Sequence, residues 1–186
     1  GQAAAIARRG LEIAPNNTAL LLSLAQVESQ RGKAVEAADL FRRVLAAYPE
    51  SFDAQIGLGV ALLGGGDAGD ALELFTDLAE VAPSDPEVCD GLARAAIASQ
   101  RMDEAAAVLT AAIEDQPTVV APRLALAAIK RTQKLCRQAA SLLREGLALT
   151  PGQPQLTDAL ATTLLQTGTQ SYDPSEAARL MERLCR

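Results

Sequence analysis

Side chains that could carry chemistry are few and widely separated in this sequence. There is no histidine, which excludes imidazole acid–base catalysis, Ser-His-Asp and Cys-His arrangements and the most frequent metal ligand. The three cysteines, Cys89, Cys136 and Cys185, form no C-x-x-C pair and are predicted to be free thiols. We therefore expect no catalytic residue, no metal site and no cofactor, in a protein that is not an enzyme.

Two other groups of residues invite a chemical interpretation and are better explained structurally. The run Gly64-Gly65-Gly66 lacks the G-x-x-x-x-G-K-[ST] pattern of a phosphate-binding loop and is predicted to be a turn between helices. The acidic pairs Asp103-Glu104 and Glu114-Asp115 fall near turns or helix ends, where solvated carboxylates are the usual case. Cys89 is predicted to be a buried, inert thiol, and Cys136, near a turn, the most reactive of the three.

Composition narrows the classes of partner. The net charge of −6 disfavours nucleic acid and anionic membrane surfaces, which are polyanions. No apolar run approaches the roughly 20 residues that a membrane-spanning helix needs. Free thiols fit a reducing compartment, so we expect a cytoplasmic protein by default and leave the periplasm open.

Prolines reveal an internal repeat. Five of them are spaced at a constant interval of 34 residues: Pro15, Pro49, Pro83, Pro117 and Pro151. The same interval separates a column of leucines, comprising Leu24, Leu58, Leu92, Leu126 and Leu160. It also separates the alanines Ala37, Ala71, Ala105 and Ala139, and the large apolar residues Phe41, Phe75, Leu109 and Leu143. Such a period indicates stacked copies of one supersecondary unit.

Each period contains two helical patterns of apolar residues, separated by a polar, glycine-containing break. The expected breaks include Gly32, Gly66 and Gly168, and a helix is expected to end before each repeated proline. Asn17, Ser51 and Asp85 are predicted to cap the helices that follow these prolines. Alanine beside a large apolar residue suits helices that cross closely.

This arrangement resembles the tetratricopeptide repeat family: a helix-turn-helix period, a Leu followed by a small residue in the first helix, an Ala and a large apolar residue in the second, and a closing Pro. The resemblance implies an all-α, right-handed α-solenoid of antiparallel helical hairpins with eleven helices in a single domain. Residues 1–15 would be a second helix alone, residues 16–49, 50–83, 84–117 and 118–151 full repeats, and residues 152–186 a fifth repeat. That repeat has a longer turn, because Ala177 stands four residues late.

The sequence departs from the family pattern where the first helix usually carries an aromatic residue. That column holds Leu21, Gln55, Cys89, Arg123 and Thr157. Charge is also uneven: residues 44–93 contain no Lys or Arg, whereas the fourth repeat is basic. This uneven distribution is consistent either with two solvated faces or with a bipolar surface that orients a charged partner.

The resemblance implies a protein–protein interaction scaffold that binds a peptide, in one form an amphipathic helix, in a groove lined by the first helices. The family's groove columns correspond to fifteen residues: Leu22, Gln26, Asp53, Ile56, Val60, Leu63, Glu87, Asp90, Arg94, Ile97, Leu124, Arg131, Asp158, Thr162 and Leu165. An alternative is the regulatory or substrate-docking segment of a larger enzyme, such as a glycosyltransferase or sulfotransferase. A third is a self-assembling solenoid.

The two ends of the sequence suggest a piece of a longer solenoid. Ile6 and Leu11 are expected on the apolar face of a helix that lacks its first-helix partner, and Leu180, Met181 and Leu184 on another apolar face at the far end. Open solenoid ends expose apolar area, so we expect exposed apolar residues there or self-association through these ends.

Overall fold

The computed structural model describes residues 2–166, apart from the side chain of Ala3. Within this range the chain forms ten α-helices and no strand. They are α1 (Gln2–Ile13), α2 (Thr18–Gln30), α3 (Ala34–Ala47), α4 (Phe52–Gly65), α5 (Ala68–Val81), α6 (Pro86–Ser99), α7 (Met102–Asp115), α8 (Ala121–Thr132), α9 (Cys136–Leu149) and α10 (Pro154–Gln166). The predicted all-α fold is confirmed. The eleventh helix, Gly168, the inserted turn and Leu180, Met181 and Leu184 lie outside the described residues.

Contacts divide the chain into a first compact unit that ends at Asp77 and a second that begins at Leu78. In the first unit α2 packs against α1 and α3, and α3 packs against α4. In the second unit α7 packs against α6 and α8, and α9 packs against α8 and α10. None of the helices in the described range is long and apolar enough to cross a bilayer.

The helices begin and end close to the predicted positions, but one predicted cap and one predicted break differ from the structure. All five repeated prolines lie in turns between helices, as expected. Asn17 accepts a hydrogen bond from the backbone N–H of Leu20, and Asp85 caps α6 in the same way, so these two caps are confirmed. Ser51 occupies the cap position of α4 but its hydroxyl makes no capping bond, so that prediction is wrong.

A left-handed residue ends the first helix of each of four hairpins. Gly32 has φ of 74° and Gly66 has φ of 94°, whereas Gln100 and Lys134, one and two periods later, have φ of 61° and 63°. The expected break at Gly64-Gly65-Gly66 was too broad, since α4 continues through Gly65. The turn requires positive φ regardless of the residue type, and only glycine adopts it without steric cost.

Paired helices cross at the alanine column. Ala37, Ala71, Ala105 and Ala139 all have 0% exposure, so no space remains there for a larger side chain. The large apolar column beside it is equally buried. A Cβ atom on Gly57 would collide with the ring of Phe41, and one on Gly59 with the ring of Phe75. The leucine column is buried except at Leu58, which is only half-buried, contrary to expectation.

The carbonyl of the repeated proline accepts a side-chain hydrogen bond in four hairpins. Gln55 Nε2 donates to Pro49 O at 2.8 Å, Cys89 Sγ to Pro83 O at 3.4 Å, and Arg123 Nη2 to Pro117 O at 2.8 Å. These donors occupy the column that is aromatic in the family pattern. The carbonyl of Pro15 instead accepts from Arg43, because Leu21 has no donor. A carbonyl group just after a helix has no hydrogen-bond partner within that helix. In three of the hairpins a side chain of this column is its donor.

Arg123 is the unusual donor, because its side chain is 4% exposed. Its Nη1 also lies 3.5 Å from the carbonyl oxygen of Leu142 in α9. Gly146 makes room for it, since a Cβ there would lie 2.9 Å from Arg123 Cδ. Within the described residues the guanidinium has no carboxylate partner, so one backbone carbonyl of α9 and one of the turn before α8 solvate its charge.

The apolar face of α1 differs from the expected one. Ile6 is 68% exposed, whereas Ala4 and Ala7 are buried against Leu24 of α2 and Leu11 is partly buried there. The small residues of α1 therefore form the contact, which allows a close approach of the two helices. The exposure of Ile6 agrees with the exposed apolar residues expected at this end of the sequence.

Replacing Ala105 with Leu should lower the free energy of unfolding by about 1–3 kcal/mol, because the larger side chain would have to enter a filled crossing. Urea denaturation followed by circular dichroism measures this change. Ala107→Leu is the matched control, because Ala107 lies on the exposed side of the same helix, α7. Equal stabilities of the two variants would contradict the crossing geometry.

Replacing Gln100 with Gly should raise the free energy of unfolding by about 1 kcal/mol, since glycine removes the left-handed penalty at this turn. Gly66→Ala should lower it by a similar amount, because it introduces the same penalty one period earlier. Thermal denaturation of both variants provides the measurement. Destabilisation by Gln100→Gly would show that the glutamine side chain contributes more than its backbone strain.

Candidate functional site

The first helices of the second unit, α6, α8 and α10, are neighbours, with α8 in contact with both others. Their starts are fixed locally: Asp85 caps α6, Pro86 and Pro122 occupy the first turns of α6 and α8, and Pro154 begins α10. Because equivalent residues of the three helices are 34 positions apart in the sequence, they present corresponding faces side by side. These faces carry nine of the fifteen expected groove residues.

A cavity of about 420 Å³ lies between α8 and α10. Its floor consists of Leu124 and small residues, and polar side chains surround it. The lining residues are Leu124, Ala127, Ala128, Arg131, Gln155, Asp158, Ala159 and Thr162. The cavity exists because alanines of adjacent helices face one another where larger side chains would meet.

A second cavity of about 220 Å³ lies between α6 and α8. It is lined by Pro86, Asp90, Ala93, Arg94, Ile97, Ala121, Leu124, Ala125 and Ala128. Leu124 and Ala128 line both cavities, so the two cavities adjoin each other at α8. We call the joined surface the three-helix groove. Its apolar floor and polar margin are typical of sites that bind a ligand by burial and fix its orientation by a few polar contacts.

The charged residues of the groove differ in their pairing. In the α6–α8 cavity Asp90 and Arg94 are one helical turn apart, and Arg94 Nη1 lies 3.4 Å from Asp90 Oδ2. Both are largely exposed, so this pair contributes little to stability. In the α8–α10 cavity Arg131 and Asp158 line the same space, and neither forms an ion pair with any residue that the structure describes.

Seven of the nine expected residues in the second unit line one of the two cavities: Asp90, Arg94, Ile97, Leu124, Arg131, Asp158 and Thr162. Glu87 and Leu165 are exposed but line neither. The other alanines of the floor, Ala93, Ala125, Ala127 and Ala159, were not among the predicted site residues, whereas Ala128 stands in a groove column of the family. Ala93 and Ala127 directly follow Leu92 and Leu126 of the leucine column, where the family pattern has a small residue, and this recurrence was the signal for close packing. Their role as cavity floor depends on the neighbouring helix.

The remaining six expected residues belong to the first unit. Gln26 and Asp53 are exposed, and Leu22, Val60 and Leu63 are half-buried. Leu22 packs against the core of this unit. Ile56 is 8% exposed, so most of its surface contributes to the interior and little is left for a ligand.

A buried carboxylate in the first unit was missed by the sequence reasoning. Glu28 is 1% exposed, and its Oε1 lies 2.7 Å from Arg8 Nη2 and 3.4 Å from Arg31 Nη1. Lys33 Nζ lies 3.9 Å from Oε2, which has no hydrogen-bond partner among the described residues. The equivalent position holds Leu62, Ala96 and Leu164 in three of the other repeats and Lys130 in the remaining one, so the column gave only a weak signal of burial. The three cations offset the cost of burying this charge and join α1, α2 and the following turn.

The cysteines that the structure describes are both free thiols, Cys89 buried and Cys136 partly exposed. Burial raises the pKa of the Cys89 thiol to about 12, and the negative charge of Asp85 adds to this effect. Cys185 lies outside the described range. Within that range, no group of three or more Cys, Asp or Glu residues is placed to hold a metal ion.

Family models described as tetratricopeptide repeat match this chain. One matches residues 28–88 and 62–129, and a second matches residues 1–52. Together they extend over residues 1–129. No curated protein sequence matches the chain.

Several solved structures share the fold. A thermophilic TPR protein from Thermus thermophilus is 22% identical with a TM-score of 0.61, covering 91% of this chain and 100% of that one. A tetratricopeptide repeat protein from Parabacteroides merdae is 14% identical with a TM-score of 0.63, covering 97% and 75%. MamA of MSR-1 is 21% identical with a TM-score of 0.54, covering 89% and 97%. At these identities the similarity shows the fold alone.

In a Cys185→Ser background, a maleimide at about pH 8 should label Cys136 much faster than Cys89. The Cys89 thiol is buried and remains protonated far above its ordinary pKa, and only the thiolate reacts. Mass spectrometry of tryptic peptides measures the ratio, and labelling in urea should equalise the two sites. Comparable labelling of both cysteines in the native protein would contradict the burial of Cys89.

Proposed function

Because the chain belongs to the tetratricopeptide repeat family, we propose that it is a non-enzymatic scaffold that binds a segment of a partner protein in the three-helix groove. The observation that carries this proposal is that two cavities adjoin each other at α8, where Leu124 and Ala128 line both. Adjoining cavities of this kind can accept successive side chains of one ligand segment.

The chemistry of the groove supports a ligand with apolar side chains. Its floor is made of aliphatic and small residues, and Ile97 and Leu124 remain half-buried. Covering these surfaces stabilises a complex by about 25 cal/mol for each Å² of apolar area buried. The polar groups at the margin, among them Gln155 and Thr162, can donate and accept hydrogen bonds that orient the ligand backbone.

The floor of the groove should move little when a ligand binds. The floor residues Ala93, Ala125 and Ala127 are buried, and Leu126 and Ile129 fill the interior behind α8. A floor held by core packing is preorganised, so a ligand does not have to supply the free energy of ordering it.

Filling the groove tests this function. Ala128 lines both cavities, so Ala128→Phe should occupy the space that ligand side chains need. Peptides selected on the unmodified protein from a phage-displayed random library should bind Ala128→Phe at least about tenfold more weakly by fluorescence polarisation. This loss corresponds to about 1.4 kcal/mol.

Ala107→Phe is the matched control, because it places the same side chain on the exposed side of α7. It should bind the selected peptides as the unmodified protein does, and circular dichroism should show equal helicity in both variants. Failure to enrich any peptide, or equal binding by Ala128→Phe, would contradict the proposal.

A further inference from the structure

The α8–α10 cavity holds two opposite charges that are not paired with each other. In the part of the chain that the structure describes, the side chains of Arg131 and Asp158 make neither an ion pair nor a hydrogen bond, although both line the same cavity. Arg131 is half-buried and Asp158 is exposed. The neighbouring cavity is different, because Asp90 and Arg94 there lie 3.4 Å apart and neutralise each other.

Helix geometry explains why Arg131 and Asp158 remain apart. Asp158 is one period after Leu124, so it lies level with Leu124 on the neighbouring first helix. Arg131 is seven residues further along α8, which places it about 10 Å away along the helix axis at a rise of about 1.5 Å per residue. The cavity therefore has a carboxylate near the start of the helices, a cation near their ends, and an apolar floor between them.

Covering these charges with an uncharged ligand would raise the free energy of the complex. A charge removed from water without a partner is strongly unfavourable, whereas an opposite charge on the ligand offsets that cost. Only one arrangement satisfies both ends of the cavity: a ligand carboxylate near Arg131 and a ligand cation near Asp158. A bulky apolar side chain between them would rest on Leu124, Ala128 and Ala159.

From this arrangement we infer that the ligand is an extended peptide segment in which a basic and an acidic residue flank an apolar one, and that Arg131 and Asp158 fix its direction in the groove. The inference rests on the proposed function. Arg131 and Asp158 also lie on different helices, α8 and α10, and packed helix axes are about 8–10 Å apart. The two positions are therefore separated by about 14 Å, which in an extended chain, at about 3.3 Å per residue, places the two charged residues of the ligand roughly four positions apart. The reverse order of charges would bring like charges together at both ends, which is unfavourable.

Exchange of the two charges tests the direction. Random peptides are selected by phage display on the unmodified protein and on the double variant Arg131→Asp/Asp158→Arg. The unmodified protein should enrich one order of basic and acidic residues around the apolar residue, and the double variant the opposite order. Each selected peptide should bind the protein on which it was selected at least about tenfold more tightly than it binds the other.

The matched control exchanges an exposed ion pair on α3 that lies outside the groove, Asp39→Arg/Arg42→Asp. Because these two residues line neither cavity, their exchange should leave the enriched order unchanged. If the double variant does not fold, the single variants Arg131→Gln and Asp158→Asn replace it. The first should remove the preference for an acidic residue and the second the preference for a basic one.

The outcomes separate the inference from the function on which it rests. Peptides that lose affinity for Ala128→Phe but show no charge order, or keep the same order in the double variant, would refute the charge-directed ligand and leave the groove function intact. Peptides that bind Ala128→Phe undiminished, or a library that yields no binder, would refute the groove function and this inference with it.

Discussion

The crossing of paired helices at a fully buried alanine is the contact on which both units depend. Ala37 and Ala71 in the first unit, and Ala105 and Ala139 in the second, leave no space between the backbones. The neighbouring large side chains, such as Phe41 and Leu109, are then directed into the interior and fill it. When the hairpins of the second unit have formed in this way, the first helices of the unit lie side by side. The residues on the facing sides of these helices are small, so cavities remain there and form the three-helix groove.

Backbone carbonyls between the helices accept hydrogen bonds from side chains whose chemistry differs from repeat to repeat. An amide, a thiol and a guanidinium donate to the carbonyls of Pro49, Pro83 and Pro117 from one column. In these three repeats the column provides a donor within reach of an unpaired carbonyl, and the shape of the donor is accommodated locally. At Arg123 the accommodation is Gly146 on α9, whose missing side chain makes room for the guanidinium. This explains how the family's aromatic position can be lost without loss of the hairpin.

The charged residues of the chain fall into groups with different physical roles. Glu28 is buried with three cations around it, so it joins α1 to α2 through charge–charge contacts. Glu104 is exposed, and a hydrogen bond from Arg101 lowers the pKa of its carboxyl at the start of α7. Arg131 and Asp158 have no such partners within the described chain, and their charges remain available in the cavity that they line.

The sequence by itself determined the helices, most of their ends and most of the apolar residues that they bury. The period of 34 residues, the repeated prolines and the caps Asn17 and Asp85 act over a few residues, so they can be recognised without knowing the neighbours. The resemblance to the family also indicated the first helices as the groove helices, and whether the fifteen residues contact a ligand remains a prediction.

Only the tertiary structure decided which polar residues are buried and where open space remains. Glu28 and Arg123 look like surface residues in the sequence, and their burial depends on α1 and α9, which pack against them from other parts of the chain. The left-handed turns at Gln100 and Lys134 were hidden because neither residue is glycine. The two cavities and the unpaired charges that line one of them likewise arise between helices. A local pattern specifies one helix at a time, and the space and partners between helices are set only when they pack.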